Sequence, residues 1–128
     1  MRKLLIIFII SVFHFSFLKA EVIKNVIING NKRISNETVI IYGDIKIEKN
    51  YSEEDLNNLI KNLYSTNFFK NVDININQGN LIVNLEEYPI LNQLIIIGEK
   101  SNKFKNEIKK VIQLKEKRSF IKSLLAKD

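Results

Sequence analysis

The chain contains no cysteine, so neither a disulfide nor a thiolate metal site can hold it together. Its one histidine, His14, lies inside an apolar run near the N-terminus and reads as a tolerated polar residue. No histidine follows it to serve as a base or a metal ligand. The four glycines are scattered and build no phosphate-cradling loop. An enzyme has little here to work with, and the sequence calls for no metal and no cofactor.

Arginine is scarce: three against 17 lysines, in a chain with 23 isoleucines and 17 asparagines. The formal charge of +6 is unevenly spread. Residues 21–98 hold seven basic and ten acidic side chains, net −3, whereas residues 99–128 hold ten and four, net +6. A basic tail invites a polyanion partner. Base and phosphate recognition leans on arginine forks and stacking aromatics, and residues 99–128 offer one arginine and two phenylalanines. Lys, Ile and Asn are also the residues of A/T-rich codons. No nucleic-acid partner is expected.

Long apolar runs are absent except at the start, where Arg2-Lys3 precede Leu4–Leu18 and Lys19-Ala20 follow. A basic start, an apolar core and a small residue at the exit describe a secretory signal peptide over residues 1–20, cut between Ala20 and Glu21. A permanent anchor is the rival. Fifteen residues reach only about 22 Å, short of the roughly 30 Å of a bilayer core.

What the chain does have, it writes twice. Ile23–Lys32 is echoed 68 residues later by Leu91–Lys100: apolar residues match at 23/91, 26/94, 27/95 and 28/96, Gly30 falls on Gly98, and Lys32 on Lys100. A fixed period of this size signals like modules. Each copy reads as a short strand stopped by a glycine free to take φ > 0. With one inserted residue, Ile45 falls on Leu114 and Tyr51 on Phe120.

In the first copy the opening strand is expected over Val22–Ile28. Ser35 stands where an N-cap belongs, ahead of a short helix through Thr38–Tyr42 that closes at Gly43. Ser52-Glu53-Glu54-Asp55 opens a clearer helix: serine caps the free amides, and the carboxylates sit at the positive end of the helix dipole. Consecutive helical positions point apart, so these acids cannot converge on a metal. Leu56, Leu59, Ile60 and Leu63 make one apolar stripe. Asn67 suits a left-handed C-terminal turn, and Phe68-Phe69 read as core anchors. Val72–Asn77 then alternates strictly, Gln78-Gly79-Asn80 turns, and Leu81–Glu86 returns as a hairpin strand. Tyr88-Pro89 stiffens the joint to the next copy.

This order resembles the POTRA domain (polypeptide-transport-associated) of the outer-membrane protein assembly factor BamA family. The likeness rests on Ile28-Asn29-Gly30-Asn31-Lys32-Arg33-Ile34, on Leu63-Tyr64-Ser65-Thr66-Asn67-Phe68-Phe69-Lys70-Asn71-Val72, and on Val83-Asn84-Leu85-Glu86-Glu87-Tyr88-Pro89. Asn67 departs from the family's usual glycine. The resemblance implies an α+β fold: a β-α-α-β-β module with a three-stranded mixed sheet and two helices on one face, over residues 21–89. Residues 90–128 would be the truncated start of a second copy. No series of alternating barrel strands follows, so the chain is expected to be the N-terminal part of a longer protein, either a partial record or a broken gene.

The resemblance further implies a periplasmic location, at the inner face of the outer membrane of a Gram-negative bacterium. The expected partners are unfolded outer-membrane protein clients and accessory assembly lipoproteins, with attachment to the membrane through a missing C-terminal barrel. Docking would proceed by β-augmentation on an open sheet edge, which the family's topology assigns to Val72, Asp73, Ile74, Asn75, Ile76 and Asn77. A membrane-anchored cell-division protein of the FtsQ kind, with one scaffolding POTRA module, is the alternative. The repeat and the short apolar run weigh against it.

Overall fold

A computed structural model describes residues 22–128. The signal-peptide reading of residues 1–20, and the junction at Ala20 and Glu21, lie outside the described residues. The elements run β1 (Asn25–Asn29), α1 (Asn36–Gly43), α2 (Glu53–Ser65), β2 (Phe69–Asn77), β3 (Asn80–Glu87), α3 (Asn102–Val111) and α4 (Lys122–Leu125). The strands form a three-stranded mixed sheet in the order β1-β3-β2. β1 runs parallel to β3 with Asn25 facing Asn80, and β2 runs antiparallel to β3 with Asn77 facing Asn80.

The opening strand starts later than the sequence suggests. Val22 makes only an isolated bridge to Asn50, and Ile23 is tied to the inter-helix loop through Ile23 N to Lys49 O (3.1 Å) and Glu48 N to Ile23 O (2.7 Å). Parallel pairing with β3 begins at Asn25, where the hairpin turn ends. The strand stops at Gly30, whose φ of +84° suits glycine; a Cβ there would lie 1.9 Å from the Leu85 carbonyl oxygen. Glycine is required twice over, by conformation and by close approach.

Ser35 caps α1 as expected, its Oγ accepting from Thr38 N at 3.2 Å. The helix ends at Gly43, which lies in its last turn against Leu59 and Ile45, but Gly43 is not the left-handed cap. Asp44 takes the left-handed conformation instead (φ 50°), a position short polar side chains tolerate. Ser52 and Asp55 form a reciprocal capping box on α2: Asp55 N donates to Ser52 Oγ (3.1 Å) and Ser52 N to Asp55 Oδ2 (2.9 Å). Lys49 lies 2.7 Å from the other carboxylate oxygen. Lys49 first, and then Ser52, hold the Asp55 carboxyl well below the usual carboxylate range. α2 ends at Thr66, with Asn67 left-handed at φ 57°.

Val39 from α1, Leu59 and Leu63 from α2, and Phe69, Leu81, Val83 and Leu85 from the hairpin join Ile23 in one core. Ile23, Val39, Leu63, Phe69, Leu81 and Val83 are all less than 2% exposed. Each such side chain stabilises the fold by roughly 1.5–3 kcal/mol relative to exposure. Both helices therefore cover one face of the sheet, and the other face carries the alternate residues.

Residues 90–128 repeat the entry geometry of the first module. Ile90 bridges Ser119, Leu91 N donates to Arg118 O (2.8 Å), and Lys117 N donates to Leu91 O (2.7 Å). These are the Val22, Ile23, Glu48 and Lys49 contacts displaced by one repeat. Lys117 has φ 61° where Glu48 has φ 62°, and Gly98 has φ 91°. The expected second strand is not formed, however: beyond the Leu91 contacts, residues 92–97 join no strand ladder among the described residues. β1 is held by β3, and among the described residues no equivalent of β3 lies beside 91–97. Correspondingly, nothing lies within 4 Å of a Cβ built at Gly98.

Candidate functional site: the open edge of the sheet

The residues assigned to docking from sequence, Val72, Asp73, Ile74, Asn75, Ile76 and Asn77, all lie on β2, a terminal strand of the sheet. Two corners place it there. At the helix end Thr66 Oγ1 donates to Leu63 O (2.6 Å) and accepts from Phe68 N (3.1 Å), which turns the chain sharply into Phe69. Phe69 is 1% exposed, while Phe68 packs edge-on between Tyr42 and Phe69 at centroid distances of 6.0 and 6.2 Å. At the far end Gln78 and Gly79 both take positive φ (51° and 76°), the signature of a two-residue hairpin loop whose twist matches the strands. Asn80, read from sequence as part of the turn, is already in β3.

The edge has a direction. Val72 N does not donate to β3; it donates to Tyr64 Oη at 3.2 Å. In an antiparallel ladder, backbone groups turn alternately to the two sides. Ile74 and Ile76 therefore present their N–H and C=O groups outward, while Asp73, Asn75 and Asn77 bond to β3. The open edge holds three outward positions, and Tyr64 occupies the first donor.

The uncovered face is a grid of amides. Asn25 Nδ2 donates to Asn80 Oδ1 (3.2 Å), and Asn29 Nδ2 donates to Asn84 Oδ1 (3.0 Å). Asn84 Nδ2 in turn donates to Asp73 Oδ2 (3.2 Å), so one chain of hydrogen bonds crosses all three strands and ends at the β2 edge. Such cross-strand pairs contribute roughly 0.2–1 kcal/mol each. On the helix-covered side Val72 is buried, with Ile74 and Ile76 half-buried beside the core.

Tyr88 and Pro89 lie at the exit of β3. Tyr88 N donates to Phe68 O (2.9 Å), and Pro89 O accepts from Phe120 N (2.6 Å). A latch not anticipated from sequence holds the same corner. The Glu87 carboxylate, its side chain only 8% exposed, accepts from Arg33 N and Ile34 N (2.9 Å each) and meets Arg33 Nε at 2.8 Å. Arg33 Nη2 also donates to Tyr88 O at 2.7 Å. Burial alone would push the Glu87 carboxyl up; the Ile34 and Arg33 amides and the guanidinium outweigh it and hold it below its ordinary value. Opposite charges in two of the motif stretches were the available signal. Tyr64 carried none beyond its place in a motif.

Two helices behind one face of a β1-β3-β2 mixed sheet, in the order β-α-α-β-β, define a POTRA-like module. The chain is 32% identical over 85 residues, 66% of its length, to the outer membrane protein assembly factor BamA of Neorickettsia risticii. It is 31% identical over 78 residues, 61% of its length, to BamA of Neisseria meningitidis serogroup B. The chain thus carries a BamA-like region of the POTRA type. The matches cover 12% and 10% of those two proteins, so the chain spans about a tenth of the curated relatives it matches. No protein-family model matches it.

Proposed function

We propose that this chain is a periplasmic portion of an outer-membrane protein assembly factor, and that its first module, residues 21–89, docks client or accessory strands by adding them to β2. The observation that carries the reading is the open β2 edge, with outward backbone groups at Ile74 and Ile76. Backbone pairing reads strand shape and little side-chain identity, which suits a receptor for many unfolded barrel proteins. The names of the two relatives support the assembly role, and the work asked of the chain is binding, without chemistry. Residues 90–128 begin a second module; the repeated bridge, hydrogen bonds and positive-φ residues support this.

The test is substitution of Ile74 by proline, which removes an outward donor while leaving the ladder to β3 in place. Site-specific crosslinking from Asn75 to unfolded barrel-protein segments is expected to be lost while the circular dichroism spectrum is kept. Undiminished crosslinking in the folded variant would overturn the docking reading.

A further inference from the structure

Two side chains on or beside the edge have no part in the core, and each bears on which strand docks. Tyr64, half out in solvent, spends its hydroxyl on the Val72 amide at 3.2 Å. Asp73 ends the Asn29–Asn84–Asp73 chain with Oδ2 engaged and Oδ1 without a partner among the described residues. Among the described residues no cation pairs with it either; Lys70, three positions earlier, is taken by Glu86 at 2.7 Å. Asp73 is the one charged residue in the stretch 72–77.

We propose that Tyr64 fixes the register of the added strand and that Asp73 selects the residue facing it. The inference rests on the strand-docking reading above. With the Val72 donor closed by Tyr64, an incoming strand finds its backbone partners at Ile74 and Ile76. Asp73 bonds to β3, so towards an added antiparallel strand it occupies a non-hydrogen-bonded position. There the facing Cα atoms approach to about 4.5 Å and side chains are closer than at the alternate sites. The wet-face residues Asp73, Asn75 and Asn77 thus meet their counterparts at short range, and only Asp73 brings a charge. A carboxylate with a free oxygen accepts from lysine, arginine, asparagine or glutamine and repels an acid. The favoured guest is a strand that alternates apolar residues beside Ile74 and Ile76 with polar ones on the wet face, with a donor opposite Asp73.

The test uses the full chain with a photo-crosslinking residue at Asn77. Its probes are three nine-residue alternating peptides that differ only at one wet-face position, as Lys, Ser or Glu. The Lys peptide is expected to bind roughly three- to tenfold more tightly than the Glu peptide. That preference should narrow at high salt and disappear in Asp73→Asn, which keeps the shape and the amide row. In Tyr64→Phe the Val72 amide should exchange faster with solvent and the crosslinked peptide positions should spread by two residues. Equal binding of Lys and Glu peptides by the native chain would overturn the selecting role of Asp73. Unchanged crosslink positions and unchanged Val72 exchange in Tyr64→Phe would overturn the register role. Absence of a crosslink with every peptide would overturn the docking reading, and these roles with it.

Discussion

Gly30 and Gly98 occupy the same place in the repeat and share a left-handed backbone, at φ +84° and +91°. Alanine at either site meets the strain of that conformation, about 1–2 kcal/mol for an L-residue. Their surroundings differ. At Gly30 the new Cβ would stand 1.9 Å from Leu85 O and 3.0 Å from Leu85 C, both backbone atoms of β3. Relieving that overlap means moving β3 away from β1 by about 1 Å or more, which loosens the parallel ladder above Leu81 and Val83, both fully buried. Overpacking of this kind typically adds about 1–3 kcal/mol. The total for Gly30→Ala is therefore about 2–5 kcal/mol. A module of this size is stable by roughly 3–10 kcal/mol, so the variant should sit near its unfolding limit. At Gly98 nothing lies within 4 Å of the added Cβ, and the cost stays at the conformational strain alone, about 1–2 kcal/mol. That cost falls on the second segment, outside the sheet. Urea denaturation followed by circular dichroism should show the main transition of Gly30→Ala moved down by about 2 M or more, at a slope of roughly 1 kcal/mol per M, and that of Gly98→Ala unmoved. Equal shifts in the two variants would refute the close-approach argument and reduce both glycines to turn formers.

Glu87 has a folded-state pKa below its unfolded value, so its stabilisation is present above the unfolded pKa, about 4.3, and is lost as pH falls through the folded pKa. Glu87→Gln should flatten that acid-side loss and cost about 1–3 kcal/mol at neutral pH by leaving the Arg33 and Ile34 amides poorly matched; a pH series of melting temperatures checks both. Ser52→Ala should cost about 1 kcal/mol through loss of the capping box, measured by chemical denaturation; a change within error would make the box incidental. The exported protein should begin at Glu21, and N-terminal sequencing that finds Met1 would instead favour an uncleaved anchor.

Local features were legible because their causes are local. Ser35 and Ser52 announce helix starts, the alternation of Val72–Asn77 gives a half-wet strand, and Asn67 marks a left-handed turn; all of these are in place. The errors fell where a distant partner decides. The strand pattern begins three residues before β1 because Val22 and Ile23 look like strand but spend their hydrogen bonds on the loop at Glu48–Asn50. Residues 91–97 have the composition of β1 without forming a strand, because the ladder that holds β1 comes from β3, some 55 residues further along the chain. The Arg33–Glu87 latch and the Asn29–Asn84–Asp73 row share that origin. They exist only once the parallel register sets residue 29 against 84, a fact that periodicity along the chain does not contain.

An exposed strand edge invites uncontrolled pairing, and proteins commonly blunt such edges with charge, bulges or cover. β2 uses a mixture with unequal reach. At its beginning Lys70 and Glu86 pair at 2.7 Å, the ladder shifts register between Phe69 and Asn71, and Tyr64 seals the Val72 amide. Toward the hairpin these devices stop, and the outward groups of Ile74 and Ile76 are guarded only by polar neighbours on the wet face. Protection that covered the whole strand would suit a spacer with nothing to bind. Protection confined to one half leaves a short platform, long enough to hold a guest by a few backbone bonds and too short to grip it permanently. At a net contribution of roughly 0.5–1.5 kcal/mol per hydrogen bond, a few such bonds offset only part of the cost of ordering an unfolded segment. On the docking reading proposed above, capture at this edge should therefore be weak and reversible.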